Sequence, residues 1–553
     1  MNSPEAEQSF DYLIIGSGAA GSVVAARLAE ANIASIGVIE AGGDNNRLMV
    51  NVPAGFVRNL GNPALMWQFN SVAGNNTGSR SVYLPQGKLL GGSTSINGLV
   101  YNRGQRQDFD HWASLGNTGW SYNEVLSYFR KSETFDAPES QYRGANGPLR
   151  IGRPAQSHPL CDRFIQTVAA STGAPAHNDY NGETQFGTGY YQRFIHHGRR
   201  ENVADRFLKP ALKTGNITIL KATQATKILF DQNKAIGVEI HREGSTTRVY
   251  AKREVLLCGG TVNSTVLLQR SGVGSGDYLQ SLNIPVVKNL PGVGENFQDH
   301  YFVRTATRLH NGIDSLNIQS RGLSLGKEII KWFAGKASIL SWTPSIAYAF
   351  LHSESVINGD TTGTIKPDLQ FVFTHGSYRP GRVYELDQFP AVTCGFTQQR
   401  PYSIGSIKIS SADIHDKPIV QPNYLVDERD QKIAITGVKI ARSFMQSETF
   451  KDVCKREEVP GKNVVTDDEI LQFARDTGNT GYHLCGSCKM GPESDPMAVV
   501  SPTLKVHGVD GLRVIDASVM PTVTSSNTCA ATIMIAEKAA DMIINPTQSH
   551  APC

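Results

Sequence analysis

Near the start of the chain runs Tyr12-Leu13-Ile14-Ile15-Gly16-Ser17-Gly18-Ala19-Ala20-Gly21, and Glu40 stands 24 residues beyond Gly16. The four apolar residues read as a short buried strand, and the glycines follow it at once. Residues 22–30 continue in an alanine-rich helical pattern, and Ser35-Ile36-Gly37-Val38-Ile39 is a second apolar run that ends at Glu40. Strand, glycine turn, helix, strand and acid, in that order, predict the opening unit of a dinucleotide-binding sheet. Gly16 permits the turn, Gly18 lets a pyrophosphate reach the backbone, and Gly21 lets helix and strand pack closely. Amide N–H groups at the start of the helix suit phosphate oxygens, because the helix dipole favours anions there. A carboxylate at Glu40 accepts from ribose hydroxyls and repels a 2′-phosphate. This unit by itself does not choose between NAD and FAD.

Outward from this unit, the length of 553 residues exceeds one ordinary core and implies two large intertwined domains. A net charge of +3 gives no reason for a nucleic-acid partner. The 40% hydrophobic and 19% charged composition is that of a globular chain. Residues 337–351 are too short to span a bilayer and contain Pro344, and residues 517–536 contain Pro521 and a Thr/Ser/Asn run, so no transmembrane segment is expected. The acidic first residues hold no apolar signal core, and eight cysteines are too sparse for a disulfide scaffold. The expected location is cytoplasmic.

A helix is expected over residues 120–131 with Ser121 as its cap, and another over residues 430–446. Ile217-Thr218-Ile219-Leu220 and Gly237-Val238-Glu239-Ile240 alternate like antiparallel strands. Residues 255–258, Gly259-Gly260 and the apolar residues 262–268 repeat the strand–glycine–helix theme. Between residues 301 and 479 the alternating segments 368–373 and 406–409 suggest an antiparallel sheet in a separate domain. A strand over 512–516 and an amphipathic helix over 532–544 close the chain. There is no internal repeat.

Four further stretches carry a resemblance. Gly87-Lys88-Leu89-Leu90-Gly91-Gly92-Ser93-Thr94-Ser95-Ile96-Asn97-Gly98 is the first, and residues 259–274 form the second. Leu290-Pro291-Gly292-Val293-Gly294-Glu295-Asn296-Phe297-Gln298-Asp299-His300 is the third. The fourth runs through Tyr482-His483, Cys488-Lys489-Met490-Gly491, residues 513–518 and residues 532–537. In this order they resemble the glucose–methanol–choline (GMC) flavoprotein oxidoreductases over nearly the whole chain. The resemblance implies an α/β fold with a Rossmann-like FAD-binding domain (residues 1–155, 198–305 and 480–553). It also implies a second, α+β substrate domain built on an antiparallel sheet (residues 156–197 and 306–479).

By the same resemblance Gly16, Ser17, Gly18 and Ala19 hold the pyrophosphate and Glu40 the adenosine ribose. Ala225 contacts adenine through its backbone, Gly92, Ser93 and Asn97 line the isoalloxazine, and Asp516 and Ala517 reach the ribityl-pyrophosphate region. Some choline-oxidising relatives carry a histidine in the Gly92 loop that bonds covalently to the flavin; Ile96 at the matching position has no nucleophile, so non-covalent FAD is expected.

Oxidising an alcohol requires a hydride acceptor and a base, and histidine suits the base because its pKa lies near 6.5. The resemblance assigns that base to His483 and the second member of the catalytic pair to Asn527, whose carboxamide can both donate to and accept from the substrate oxygen. His300 reads as structural, Cys529 as a packed thiol, and Cys485 and Cys488 as unpaired buried thiols; no metal is expected. Trp342, Phe350, Phe371, Phe373 and Tyr378 are aromatic candidates for the pocket wall, with core packing the role of most. The reading is an FAD-dependent oxidoreductase acting on a small-molecule alcohol, with oxygen, a quinone or another carrier as electron acceptor. A lyase or flavin photoenzyme of the same family (the hydroxynitrile lyase or fatty-acid photodecarboxylase class) is the alternative.

Overall fold

A computed structural model describes residues 8–138, 140–177, 179–358, 366–379 and 382–546. Among these residues two seven-stranded sheets organise the fold. The first is built on the apolar run that opens the chain. Gln8–Ile15 pairs in parallel with Ile36–Ile39 on one side and Ser245–Leu257 on the other. Ile217–Leu220 extends the first edge, and Leu512–Val514 joins the C-terminal end of the long strand Ser245–Leu257. The central strands are buried on both faces, which is why they read as unbroken apolar runs rather than alternating ones.

The strand Ser245–Leu257 is long enough to serve two neighbourhoods. Its last residues lie in the parallel sheet, while its first half pairs antiparallel with Lys234–Arg242, which in turn pairs with Gln224–Asp231. The antiparallel reading therefore holds for residues 237–240 but not for Ile217–Leu220, which is a parallel edge strand. Four alternating residues mark one half-exposed face and carry no information about strand direction.

The second sheet is antiparallel in every pairing. Its order is Cys454–Val459, Tyr301–Leu309, Ala391–Gln398, Leu369–Thr374, Ala347–Leu351 and Gly187–Tyr190, with Asn479–Thr480 also on Tyr301–Leu309. Ser406–Lys408 is not part of it; that segment forms a separate ribbon with Ile419–Gln421. Along Leu369–Thr374 the odd residues face helices, with the Phe371 ring 5.6 Å from that of Phe444 and the Phe373 ring 4.6 Å from that of Phe164. The even residues Gln370, Val372 and Thr374 face a cavity. A strand with helices on one face and a cavity on the other shows no alternation, and all six of its residues are buried.

Helix Tyr122–Ser132 begins at Ser121 with a reciprocal cap from Glu124, and Glu428–Met445 begins at Asp427. The last helix, Cys529–Ile544, is buried on nearly all sides instead of amphipathic. It packs against helix Gly21–Glu30, and its Glu537 is fully buried in a bidentate pair with Arg27. Among the described residues no helix is long and apolar enough to cross a membrane.

Candidate active site

A cavity of about 390 Å³ runs from the glycine turn of the first sheet to the even-numbered face of the second. At the glycine end sterics dictate the residues. Gly16 has φ +99°, and a Cβ there would lie 2.6 Å from the Cys258 carbonyl oxygen; one on Gly21 would lie 1.9 Å from the Gly16 carbonyl oxygen. Gly21 therefore serves packing and does not reach the cavity wall. A Cβ on Gly18 would meet only Gly92 Cα, at 3.9 Å, and would protrude into the cavity.

The Ser17 N–H and hydroxyl donate to Glu40 Oε2 at 3.0 and 2.6 Å, and the Gly42 N–H donates to Oε1 at 2.8 Å. Glu40 thus joins the turn to the end of the next strand. Burial pushes its carboxyl pKa up, opposed by the bonds from Ser17 and Gly42. Gly16, Gly18, Ala19, Glu40 and Ala225 all line the cavity. An open glycine cradle, an acid at the strand end and a cavity continuing beyond them fit an extended dinucleotide such as FAD.

The middle of the cavity is lined by Gly92, Ser93, Ile96, Asn97 and Ala517. Gly92, at φ +52°, presses against the glycine turn, where its Cβ would come within 2.7 Å of Gly18 Cα. Ser93 Oγ accepts from the Gly87 N–H at 3.0 Å and donates to Gln86 Oε1 at 3.1 Å. Asn97 Oδ1 accepts from Arg200 at 2.8 Å and from the Leu99 N–H at 3.2 Å. These two side chains hold the loop together. Asp516 accepts from the Gly260 N–H, Ser264 Oγ, the Ser518 N–H and Ser518 Oγ at 2.6–2.9 Å, which occupies its carboxylate in tying helix Gly260–Arg270 to the last strand.

At the far end His483 and Asn527 stand together, Nδ2 of Asn527 lying 2.9 Å from Nε2 of His483. His300 lies on the other side, its Nδ1 2.8 Å from His483 Nδ1, and its Nε2 is 2.9 Å from the Gln399 carbonyl oxygen. A carbonyl only accepts, so His300 carries its proton on Nε2 and presents a bare Nδ1. His483 must then donate through Nδ1–H, which leaves Nε2 with its lone pair towards the Asn527 amide. Burial, with the neighbouring His300 second, holds the His483 pKa well below its ordinary value; burial also brings His300 down to about 4.

Asp299 completes the support. Its carboxylate accepts from the His483 backbone N–H at 2.8 Å, from Thr480 Oγ1 at 2.5 Å and from the Tyr424 hydroxyl. Burial raises its pKa to about 6 despite these bonds. His300, read from the sequence as structural, is thus the direct partner of His483. No motif pointed to Gln399, which acts through a backbone carbonyl, or to Gln370, whose Nε2 lies 3.4 Å from Asn527 Oδ1. Of the aromatic candidates only Tyr378 reaches the cavity wall.

Cys485 and Cys488 are buried and free, and burial raises both thiol pKa values. Elsewhere His158, Cys161 and His375 approach within 4.8 Å of one another. The two imidazoles stack with centroids 3.9 Å apart and 22° between planes, so their in-plane lone pairs run side by side rather than converging on an ion.

The profile of the GMC oxidoreductase family matches residues 10–302 with its N-terminal part and residues 401–536 with its C-terminal part. The chain belongs to the GMC oxidoreductase family. This GMC oxidoreductase is 37% identical to the mitochondrial choline dehydrogenase of Homo sapiens, over 98% of this chain and 90% of that protein. It is also 37% identical to the oxygen-dependent choline dehydrogenase of Brucella ovis, over 97% and 96%. Among solved structures it resembles pyridoxine 4-oxidase from Mesorbium loti (TM-score 0.85, 26% identity, 98% and 100% covered). It likewise resembles an FAD-dependent oxidoreductase from Chaetomium thermophilum (TM-score 0.87, 25% identity, 98% and 100% covered). As a family member it is an FAD-dependent oxidoreductase acting on alcohol-type substrates.

Proposed function

We propose that the protein oxidises the CH–OH group of a small organic alcohol, with Nε2 of His483 receiving the hydroxyl proton and Asn527 holding the substrate oxygen. FAD, when bound, supplies the hydride acceptor. The observation that carries this reading is the chain from the Gln399 carbonyl through His300 to His483, because it leaves the basic nitrogen on the Asn527 side. The depressed pKa keeps that nitrogen unprotonated at neutral pH. When His483 takes a proton, the Nδ1–H bond to His300 strengthens, since a donor that has become cationic binds a neutral acceptor more tightly. The Asn527 Nδ2–H now lying against Nε2 can turn to the substrate oxygen as charge develops there.

Gly16, Gly18, Ala19 and Glu40 would hold the adenosine and pyrophosphate part of FAD, with Ala225 at the adenine; Ser17, expected at the pyrophosphate, lies off the cavity wall and would act through Glu40 instead. Gly92, Ser93, Asn97, Asp516 and Ala517 would shape the remainder. The apolar Ile96 supports non-covalent attachment. The division at residues 155, 197, 305 and 479 belongs to the same reading: FAD segments alternate with substrate segments.

The test is anaerobic stopped-flow reduction of the flavin by an alcohol. His483→Ala is expected to slow it by about 10²–10⁴-fold with FAD occupancy unchanged. A normal rate in that variant would place the base elsewhere.

A further inference from the structure

The cavity face of the antiparallel sheet is organised in rows across the strands. Phe302, Thr397 and Gln370 form one row, and Arg304, Gly395 and Val372 the next. Gln370 reaches Asn527, so the first row borders the catalytic pair. Arg304 is one two-residue step further along its strand, about 7 Å. Gly395 lies between the strands without a side chain, and a Cβ there would lie 2.4 Å from the Phe302 ring and 3.3 Å from Arg304 Cγ. Both side chains therefore lean across it, and the guanidinium carbon stands 4.9 Å from the Phe302 ring centroid.

A cation held over a ring is attracted without any hydrogen bond, so the contact with Phe302 uses none of the guanidinium donors. Among the described residues no carboxylate pairs with Arg304 and no acceptor takes a hydrogen bond from it. The carboxylates on the cavity wall are Glu40 and Asp516, both bonded within the dinucleotide end. The lining of the substrate end thus carries a cation and no carboxylate, Asp299 standing behind His483 with its oxygens bonded to Thr480, Tyr424 and the His483 N–H. Tyr378 and Tyr482 line the same cavity; burial raises both hydroxyl pKa values, and the Arg304 charge opposes that rise.

We propose that Arg304 recognises a carboxylate on the alcohol, making the substrate a hydroxy acid whose carboxylate lies several carbon atoms from the reacting carbinol. This rests on the reading above of His483 and Asn527. FAD, when bound, would supply the hydride acceptor and His483 would take the hydroxyl proton, as in any alcohol oxidation at this site; Arg304 forms and breaks no covalent bond. A planar carboxylate can take two parallel N–H bonds from the free edge of the guanidinium. A quaternary ammonium such as choline would instead be placed near an unpaired positive charge.

The experiment compares kcat/KM of the holoenzyme for a chain-length series of ω-hydroxy acids, the matching ω-hydroxy amides, and choline. The hydroxy acid is expected to exceed its amide by about 10–100-fold at the best chain length. Arg304→Met should bring that ratio close to one, and Arg304→Lys should restore part of it. A second readout needs no turnover: calorimetric binding of butyrate against butyramide, with butyrate the tighter ligand in the native protein and not in Arg304→Met. Equal acid and amide rates in the native protein, a ratio that survives in Arg304→Met, or choline as the best substrate would each overturn the proposal. If no alcohol reduces the flavin, the His483 reading fails, while butyrate binding still decides the role of Arg304. Should Arg304→Met not fold, the native acid-to-amide ratio and the Arg304→Lys variant carry the decision.

Discussion

His483 is held on three sides: by His300 at Nδ1, by Asn527 at Nε2, and by Asp299 at its backbone N–H. A base positioned in this way has a predictable pH dependence. In the proposed role the neutral form is the active one, and burial holds its pKa below 6.5, so the rate of flavin reduction should rise with pH through an apparent pKa under 6.5 and be level from neutrality upward. A rapid-reaction pH profile measures this, and a midpoint at or above 7 would contradict the role of burial. Asn527 and its neighbour Cys529 both line the cavity, and their substitutions separate them. Removing a donor to a developing oxyanion costs about 10²–10³-fold. Asn527→Ala is expected near the lower figure because water can replace part of the amide, and Asn527→His should keep more activity than Ala. Burial raises the Cys529 thiol to about 12, which makes it a poor nucleophile or base at neutral pH. Cys529→Ser should change the rate by less than about tenfold. The reverse pattern in stopped-flow reduction would move the site by two residues.

At the scale of elements, the cavity face of the second sheet depends on what covers its other face. Helix Glu428–Met445 contains a glycine in its interior, Gly437, where an exposed glycine would cost about 1 kcal/mol relative to alanine. The reason is the close approach of the sheet, since a Cβ on Gly437 would lie 2.1 Å from the Phe396 ring. Phe396 is flanked in its strand by Gly395 and Thr397 of the cavity wall. Gly437→Ala should therefore destabilise the protein by about 1–3 kcal/mol, as overpacking does, instead of stabilising it as the helix propensity alone would. Thermal or denaturant unfolding of the two proteins decides the sign.

Over the whole molecule, distant stretches of chain converge next to His483 and Asn527. Gln105 Nε2 lies 2.8–3.1 Å from the Gln185 and Gln399 side-chain oxygens and the Pro367 carbonyl, three acceptors for its two hydrogens, and Gln185 and Gln399 each donate to the Ser525 carbonyl at 3.1 Å. Asp108 accepts from Ser525 and from Arg400. The residue that holds His300 and the segment that carries Asn527 are thereby tied to one buried polar network. The cavity likewise draws its walls from the N-terminal, middle and C-terminal thirds of the chain. A cofactor held only by such an assembly is lost when the assembly unfolds. Acid precipitation of purified protein should release free FAD into the supernatant; flavin that stays in the pellet would show a covalent bond that Ile96 cannot form.

Much of this was legible in the chain by itself. The Gly16–Gly18–Gly21 turn and Glu40 declare a dinucleotide because their requirements are local: a positive φ, a close backbone approach and an acid at the next strand end. Helices with their own capping residues, such as Tyr122–Ser132, were legible for the same reason. His483 and Asn527 were singled out through motifs that resemble those of a family, and the structure brings the two side chains together on the cavity wall. Strand direction at Ile217–Leu220 was not, because it depends on the neighbour and not on the four residues themselves. The partnership of His300 with His483 spans 183 residues and passes through a backbone carbonyl, which any residue type could supply. Arg304 acquires meaning only from the register that places it beside a bare Gly395, while the carboxylates of the cavity wall are bonded to other groups. Local sterics are written into neighbouring residues, whereas proton direction and pocket charge arise from groups that meet only when the two sheets close on one cavity.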